Sequence, residues 1–359
     1  MFEGLGLELA KLLYNSGSTL TVIMASRNAT KCLEWIDEMK SQETSSSVTL
    51  DWQVLDTSDM DSVKAFSSWF RGKYSHLNIL VNNAGIHYMT SAANEIRQSK
   101  QGYDLSFATN YLGHFYLTEE LLPMMTQEQS RIINVASSYH FVADGHMVTV
   151  GTNNTPPLFS QVGNSEKYAY PTSKLAQILH TKELQRRLES KGVNILNIHY
   201  YCGILIFSSV NICSAGIHNI KCLSLCPGFV KTNILPHNGF LGAVLNVFAF
   251  SVDEGMVVFK LALSSKDLVG GEFLLNMRIF PFSYLPKFVL ETTMSVALSL
   301  EGIVQTLFFS AFSGAILLMQ RANFEPHVGW SSSASMNETL AAQLFDWSRS
   351  ELVDAGYLA

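Results

Sequence analysis

The feature that most constrains the fold is the alternation of helical and strand-like patterns over the first two hundred residues. Segments with apolar residues every three or four positions alternate with short apolar runs, as expected for helices packed on a buried parallel sheet. The pattern predicts helices over residues 4–13, 29–40, 60–70, 103–125 and 165–188, and strands over 19–25, 47–55, 77–81 and 131–136. Residues 140–163 contain Gly, Asn and Pro without a period, so a loop is expected there. The sequence therefore predicts an α/β protein with a doubly wound parallel sheet and helices on both faces.

Composition and charge exclude several classes of function. The 359-residue chain has 47% hydrophobic and 15% charged residues and a formal net charge of -6. It contains no basic block, which argues against a nucleic-acid partner. The five cysteines are odd in number and irregularly spaced, so they fit neither a disulfide framework nor a zinc site, and no metal is expected. No cationic stretch precedes an apolar run at the start, so no secretory signal is expected.

A tyrosine and a lysine four residues apart are the first candidates for chemistry. Tyr170 and Lys174 lie on one face of the helix predicted over 165–188. A free tyrosine has a pKa near 10, and a neighbouring ammonium is expected to lower that pKa by favouring the phenolate. The pair is a candidate general acid/base. The alternative is an exposed helix pair formed by chance.

Two further polar residues occupy positions where chemistry is expected. Ser137 follows the strand predicted over 131–136, and a doubly wound sheet binds ligands beyond the carboxyl ends of its strands. Asn110 lies inside a predicted helix, where asparagine is mildly unfavourable. The alternatives are a turn or cap residue for Ser137 and a satisfied helix residue for Asn110.

In chain order these residues and several short motifs resemble the short-chain dehydrogenase/reductase family, most closely its retinol-dehydrogenase-like and WW-domain-oxidoreductase-like members. The similarity covers most of residues 1–276 and returns near 322–357. The fold that it implies is Rossmann-type. The matching positions are Gly4-Leu5-Gly6, Ala25 to Asn28, Asp56, Asn82-Asn83-Ala84-Gly85, Asn110, Ser137, Tyr170, Lys174, Pro227-Gly228 and Thr232.

The resemblance implies roles for four residues. Tyr170 donates or accepts the proton at the reacting oxygen, and Lys174 binds the nicotinamide ribose and lowers the pKa of the tyrosine. Ser137 hydrogen-bonds the substrate oxygen, with Ser138 as the second choice for this position. Asn110 anchors a water that relays protons from Lys174.

The resemblance also implies a nicotinamide cofactor. Arg27 lies just past the strand predicted over 19–25, which corresponds to the family's second strand, and no acid accompanies it, so a 2′-phosphate is favoured and NADP(H) is expected over NAD(H). The alternative for Arg27 is an ordinary arginine at a helix start. Cofactor contacts are expected from Gly4, Gly6, Arg27, Asn28, Asp56, Asn83, Ala84, Gly85, Tyr170, Lys174, Pro227, Gly228 and Thr232, with Asp56 at the adenine.

The implied substrate is a lipophilic alcohol or carbonyl such as a retinoid, a steroid or a fatty aldehyde. The apolar residues 240–245 after Pro227-Gly228 suit such a substrate, although they suit a core helix equally well. The resemblance further implies a homodimer formed through the helices that contain Asn110 and Tyr170. The location expected is cytoplasmic or peripheral on the endoplasmic-reticulum membrane.

The sequence departs from the family pattern in three places. Only three residues precede Gly4, so the family's first strand and its Thr-Gly pair are not present, and that strand's neighbours are expected to lack ladder partners. An apolar insertion occupies about 194–219, and a second one occupies 277–321. Within the second insertion, residues 292–319 contain one charged residue and are long enough for a membrane span, although many Ser and Thr favour an amphipathic membrane contact. The domains expected are 1–276, the insertion 277–321, and a tail of the first domain at 322–359.

These departures leave other functions open. One alternative is a non-catalytic scaffold of this fold, or a truncated or mis-spliced product that binds cofactor weakly. Another is a nucleotide-sugar epimerase, because longer relatives share the Tyr-x-x-x-Lys spacing. Residues 82–85 and the matching tail argue against the epimerase.

Overall fold

The computed structural model describes residues 4–41, 47–87, 97–126, 130–143, 145–163, 169–190, 206–208, 220–228, 230, 251–265, 268, 270–271, 273–275, 327–329 and 331–359. The strands are β1 (Leu20–Ser26), β2 (Thr49–Val54), β3 (Ile79–Asn82), β4 (Arg131–Val135), β5 (Ile206–Ser208), β6 (Lys221–Cys226), β7 (Phe273–Leu275) and β8 (His327–Gly329). The helices are α1 (Leu5–Tyr14), α2 (Ala29–Ser41), α3 (Met60–Lys73), α4 (Leu105–Phe107), α5 (Gly113–Leu121), α6 (Ala169–Ser190), α7 (Val252–Ser264) and α8 (Glu338–Asp354).

The strands form one sheet in the order β2-β1-β5-β3-β4-β6-β7-β8. The pairs β1–β2, β3–β4, β4–β6 and β6–β7 are parallel, whereas β8 runs antiparallel to β7. Short apolar runs form these strands because both faces of the sheet are covered, so alternation is not required. The predicted doubly wound α/β fold is confirmed.

Strand β5 occupies the position that the first strand holds in the usual 3-2-1-4-5-6 order of such sheets. It pairs antiparallel with residues 20–22 of β1 and with Ile79 of β3. The expectation that β1 and β3 lack ladder partners is therefore wrong. An antiparallel segment satisfies backbone N–H and C=O groups as a parallel one does, so three residues of the first insertion serve as ladder partners for β1 and β3.

Two apolar layers cover the sheet, one on each face. Helices α1, α2 and α7 pack on one face through residues such as Leu9, Trp35 and Phe259. Helices α3, α5, α6 and α8 pack on the other face, where Phe115 and Trp347 lie in the core. The two layers cover both faces of the sheet and leave the carboxyl ends of its strands accessible to a ligand.

The helix predicted over 103–125 is not a single α-helix. It runs through α4, a π-helical turn at Ala108–Leu112, α5, and a short 3-10 turn at Leu122–Met124. The extra residue of a π turn rotates the side chains that follow, and such turns are frequent at functional sites. In the described part of the loop predicted over 140–163, the regular structure consists of short 3-10 turns, the last at Leu158–Ser160.

Several sequence-based expectations fall outside the described residues. They concern Thr232, residues 240–245, the insertion 277–321 with its segment 292–319, and most of 194–219. Among the residues that the structure describes, no helix has the length and apolar character needed to cross a bilayer.

Candidate active site

A cleft opens at the carboxyl ends of β1, β2 and β3. Five of the residues that we expected to contact a cofactor line it: Gly6, Arg27, Asp56, Asn83 and Ala84. The remaining lining includes residues that the sequence analysis did not select: Ile23, Ala25, Ser26, Leu55, Thr57, Val81, Thr109 and His114. Helix α1 begins at the same edge after Gly4, whose φ of 127° favours glycine. The N-terminus of a helix suits the phosphates of a dinucleotide.

Arg27 and Asp56 face each other in this cleft. Their charged atoms are 3.9 Å apart, and half of the arginine side chain is exposed. The carboxylate of Asp56 is oriented by Ser58, whose backbone N–H and hydroxyl both donate to Asp56 Oδ1 at 2.9 and 2.6 Å. The cleft therefore presents an accessible guanidinium beside a fixed carboxylate.

Asn28 serves as a helix cap in this structure. Its Oδ1 accepts from the backbone N–H of Lys31 at 3.0 Å, and its carbonyl accepts from Cys32 N–H, which fixes the start of α2. It is not among the residues lining the cleft. The cofactor contact predicted for Asn28 therefore stays a prediction.

The Asn-Asn-Ala-Gly motif combines a structural residue with site residues. The Asn82 side chain donates to Thr118 Oγ1 at 3.0 Å and to Asn134 Oδ1 at 2.9 Å, and so ties β3 to α5 and β4. Gly85 lies beside the catalytic candidates, because a Cβ at this position would lie 3.5 Å from Lys174 Nζ and 3.6 Å from Asn110 Oδ1. The glycine keeps the space next to the ammonium open.

Asn110 lies in the π-helical turn and binds the backbone of Ile86 with both ends of its amide. Its Oδ1 accepts from Ile86 N–H at 2.8 Å, and its Nδ2 donates to Ile86 O at 3.0 Å. The same Nδ2 donates to Ser173 Oγ at 2.9 Å, and Ser173 Oγ donates to Tyr170 O at 2.8 Å. Asn110 thus connects the end of β3 to the first turn of α6.

Ser137 and Tyr170 are joined by a hydrogen bond between their side chains. Ser137 precedes a short 3-10 turn, and its Oγ accepts from Tyr139 N–H at 3.2 Å. The backbone N–H of Ser138 donates to Cys226 Sγ at 3.2 Å. The geometry favours Ser137 over Ser138 as the serine that acts beside the tyrosine.

Lys174 is buried below the tyrosine. Its Nζ lies 5.4 Å from the centre of the Tyr170 ring and donates to Val135 O at 2.7 Å and to Gln177 Oε1 at 2.9 Å. Burial lowers the pKa of Lys174 from 10.5 to about 7, although Cys226 opposes this change. The lysine is fixed at the end of β4, with its ammonium directed under the ring.

The pKa of Tyr170 moves in the direction opposite to the sequence-based expectation. Burial raises it above its ordinary value of 10, Cys226 and Tyr139 add to the rise, and the hydrogen bond from Ser137 opposes it. The expectation that Lys174 lowers the pKa of Tyr170 is therefore wrong for this structure. The ammonium hydrogen-bonds Val135 and Gln177, so its charge is shared with those oxygens while desolvation acts on the phenol.

Three residues that the sequence analysis missed complete the site. The rings of His87 and Tyr139 contact the Tyr170 ring. His140 Nδ1 donates to Ser137 O at 2.7 Å, and its Nε2 accepts from Ser332 N–H at 3.1 Å. Both histidines follow strand ends, so the rule that selected Ser137 could have found them.

The last expected motif lies behind these residues. Cys226 ends β6 and is buried, and Pro227 and Gly228 follow it. Gly228 has a φ of 84°, a conformation that requires little strain only in glycine. This turn follows the carboxyl end of β6.

The residues present fit a nicotinamide dinucleotide. The start of α1 at Gly6 and the exposed guanidinium of Arg27 lie in the cleft. Gly85 lies farther along the same edge of the sheet, beside Lys174. A phenol with a hydrogen-bonded serine and a buried amine can exchange a proton with a substrate oxygen. The arrangement supplies orientation and proton transfer and leaves the hydride to a cofactor.

Comparison with known proteins gives the same family. The sequence model of a family described as short chain dehydrogenase matches residues 1–152. The chain is 31% identical over 305 residues to short-chain dehydrogenase TIC 32 A, chloroplastic, of Brassica napus, covering 82% of each protein. It is 27% identical over 344 residues to human retinol dehydrogenase 11, covering 96% of this chain and 80% of that protein.

A solved structure has a similar fold. A crystal structure of a putative uncharacterized protein from Mycobacterium paratuberculosis matches with a TM-score of 0.58 and 22% identity. The match covers 97% of this chain and 88% of that one. At this identity the likeness shows the fold alone.

Proposed function

The chain belongs to the short-chain dehydrogenase/reductase family of oxidoreductases that act on CH–OH groups, and we propose that it transfers hydride between NADP(H) and a lipophilic alcohol or carbonyl. The observation that carries the proposal is the grouping of Ser137, Tyr170 and Lys174. The serine hydroxyl bonds the phenol, and the lysine Nζ lies 5.4 Å from the ring centre.

When bound, the nicotinamide supplies or accepts the hydride at the reacting carbon. In reduction, Tyr170 gives its phenolic proton to the carbonyl oxygen as that oxygen gains charge. In oxidation, the phenolate takes the proton of the alcohol. Ser137 holds the substrate oxygen within reach of the phenol, and Lys174, fixed beside the Tyr170 ring, would bind the ribose of the nicotinamide. Asn110 holds the turn of α6 that contains these groups through its bond to Ser173.

The preference for NADP(H) rests on Arg27. Its guanidinium is half-exposed at the cleft, and Ser26 rather than an acid precedes it. A 2′-phosphate would accept charge-assisted hydrogen bonds from this side chain. Gly6, Asn83, Ala84 and the fixed carboxylate of Asp56 would hold the remainder of the dinucleotide.

The lipophilic substrate is proposed from a relative's name. A protein 27% identical over 96% of this chain is called a retinol dehydrogenase, and retinol is an apolar alcohol. Tyr139 and His87 add aromatic surface at the phenol where such a molecule would bind. Dimer formation through the helices of Asn110 and Tyr170, and membrane contact by residues 277–321, stay predictions.

The experiment is a turnover assay of the full chain with NADPH and with NADH, using retinal and aliphatic aldehydes as substrates. Tyr170→Phe should lower kcat about 10²- to 10⁴-fold, the contribution typical of a positioned general acid/base. NADPH binding, followed by fluorescence titration, should stay within about twofold of wild type because the ring remains.

The matched control is Tyr74→Phe, since the Tyr74 hydroxyl bonds Asp51 away from the cleft. Its turnover should equal that of the wild type. Undiminished turnover in Tyr170→Phe would refute the mechanism. NADPH binding with no turnover on any alcohol or carbonyl would favour a non-catalytic role.

A further inference from the structure

The imidazole of His87 lies face to face on the ring of Tyr170. The two ring centres are 4.2 Å apart and the planes differ by 23°. Tyr139 meets both rings edge-on, at 6.0 Å from His87 and 6.1 Å from Tyr170. Offset and edge-to-face contacts of this kind are the favoured arrangements of aromatic rings. His87 therefore covers one face of the phenol.

The backbone beside His87 is held in place by Asn110, which also bonds the helix of Tyr170. Asn110 binds both the N–H and the C=O of Ile86, the residue before His87, at 2.8 and 3.0 Å. Asn110 also bonds Ser173, which bonds the carbonyl of Tyr170. A closed path of contacts thus runs from the phenol ring through His87, Asn110 and Ser173 back to Tyr170. The imidazole is directed at the phenol by this path.

The groups around the stacked rings leave the imidazole neutral. Burial and the charge of Lys174 lower the pKa of His87 to about 4. Among the described residues, the ionisable neighbours of Tyr170 besides His87 are Lys174 from its own helix, Cys226 from β6, and Tyr139 from the turn after β4. At neutral pH the His87 imidazole is therefore uncharged and contributes only aromatic surface beside the phenol.

We propose that His87 is a positioning residue for the acid/base tyrosine: its neutral ring covers one face of the phenol, limits the access of water to it and fixes the direction of its hydroxyl. This inference rests on the proposed function, in which Tyr170 exchanges the proton. It concerns the environment of the phenol, however, and can be tested without turnover.

Removal of the ring should make the phenol easier to ionise. Burial is the largest cause that raises the pKa of Tyr170, so water admitted to the uncovered face should stabilise the phenolate. We expect a decrease of about one pH unit in the ionisation midpoint of Tyr170 in His87→Ala. His87→Phe keeps an aromatic ring over the phenol and should leave the midpoint within about 0.3 unit of wild type.

The test is a pH titration by NMR of protein containing tyrosine labelled with ¹³C at the hydroxyl carbon. The resonance of Tyr170 is identified by its absence in Tyr170→Phe. The resonance should begin to shift at a lower pH in His87→Ala than in wild type and His87→Phe. His87→Gln has no aromatic ring and should behave like His87→Ala, which provides a second variant if the alanine substitution prevents folding.

The proposal is overturned if the Tyr170 resonance titrates alike in all variants, or if His87→Phe shifts as much as His87→Ala. A wild type without turnover, or an active Tyr170→Phe, would refute the proposed function and leave this titration valid. In an active enzyme, the acid limb of the pH profile for alcohol oxidation should move to lower pH in His87→Ala only. The proposal is also overturned if the acid limb of this pH profile stays at the wild-type pH in His87→Ala.

Discussion

Asn110 binds both the backbone N–H and the backbone C=O of Ile86 with its side-chain amide, by bonds of 2.8 and 3.0 Å. One amide side chain can bind both groups because its oxygen is an acceptor and its NH₂ is a donor. The cost of asparagine inside a helix is offset here by contacts outside the helix. Asn110 lies in the π-helical turn at Ala108–Leu112, and this turn helps to direct its side chain towards Ile86.

Asn110→Ala should lower the free energy of unfolding by about 1–3 kcal/mol, because it removes three hydrogen bonds of a fully buried side chain. It should also lower kcat, because Ile86 and Ser173 lose the side chain that connects them. Urea denaturation and the turnover assay measure the two effects. Asn337→Ala is the matched control: it removes the cap of α8, costs about 1 kcal/mol, and should leave kcat unchanged. Equal kcat in both variants would contradict the prediction.

Arg27→Ala should weaken NADPH binding about 10- to 100-fold, the loss expected for charge-assisted hydrogen bonds to a phosphate. NADH binding should change by less than about threefold, since it has no 2′-phosphate. Fluorescence titration with each cofactor measures both. Arg71→Ala is the control. Arg71 lies in the last turn of α3, pairs with Glu120 of α5, and is not among the residues that line the cleft. Equal losses for the two cofactors would rule out recognition of the 2′-phosphate by Arg27.

Lys174 should make stability depend on pH. Burial lowers its pKa from 10.5 to about 7 in the folded protein, so between these values the unfolded chain binds more protons. Stability should therefore rise with pH from 7 to 9, by at most about 1.4 kcal/mol per pH unit from this group. The measurement is the unfolding free energy of wild type minus that of Lys174→Met at several pH values. A difference for Lys174→Met that does not rise from pH 7 to 9 would show that the pKa of Lys174 is not lowered in the folded protein.

The C-terminal helix should be essential for the core, and we propose that residues 331–359 belong to the same domain as the sheet. Trp347 is 2% exposed and contacts Phe107 at 6.0 Å between ring centres. Trp347→Ala should lower the free energy of unfolding by about 3–5 kcal/mol. Val353→Ala on the same helix should cost about 0.5 kcal/mol, since Val353 is 39% exposed. A single unfolding transition that shifts only for Trp347→Ala would support the assignment, and equal small effects would contradict it.

The predictable part of the site consists of residues whose position follows from one element. Ser137 and Gly85 follow strand ends, and Tyr170 and Lys174 share a helix face, so local spacing made them candidates and the family resemblance implied their roles. His87 was not selected, because its role depends on stacking against Tyr170, which lies 83 positions later in the chain. The direction of the Tyr170 pKa was wrong for the same reason: Val135 and Gln177 bind the ammonium, and burial acts on the phenol.

The sequence by itself determined the α/β alternation and the short-chain dehydrogenase/reductase pattern, because apolar periodicity and motif spacing are properties of neighbouring residues. Tertiary structure alone decided that Ile206–Ser208 complete the centre of the sheet, since backbone pairing is indifferent to side-chain identity. It also decided what surrounds the phenol of Tyr170. Desolvation depends on atoms brought together from distant parts of the chain, and no local pattern encodes it.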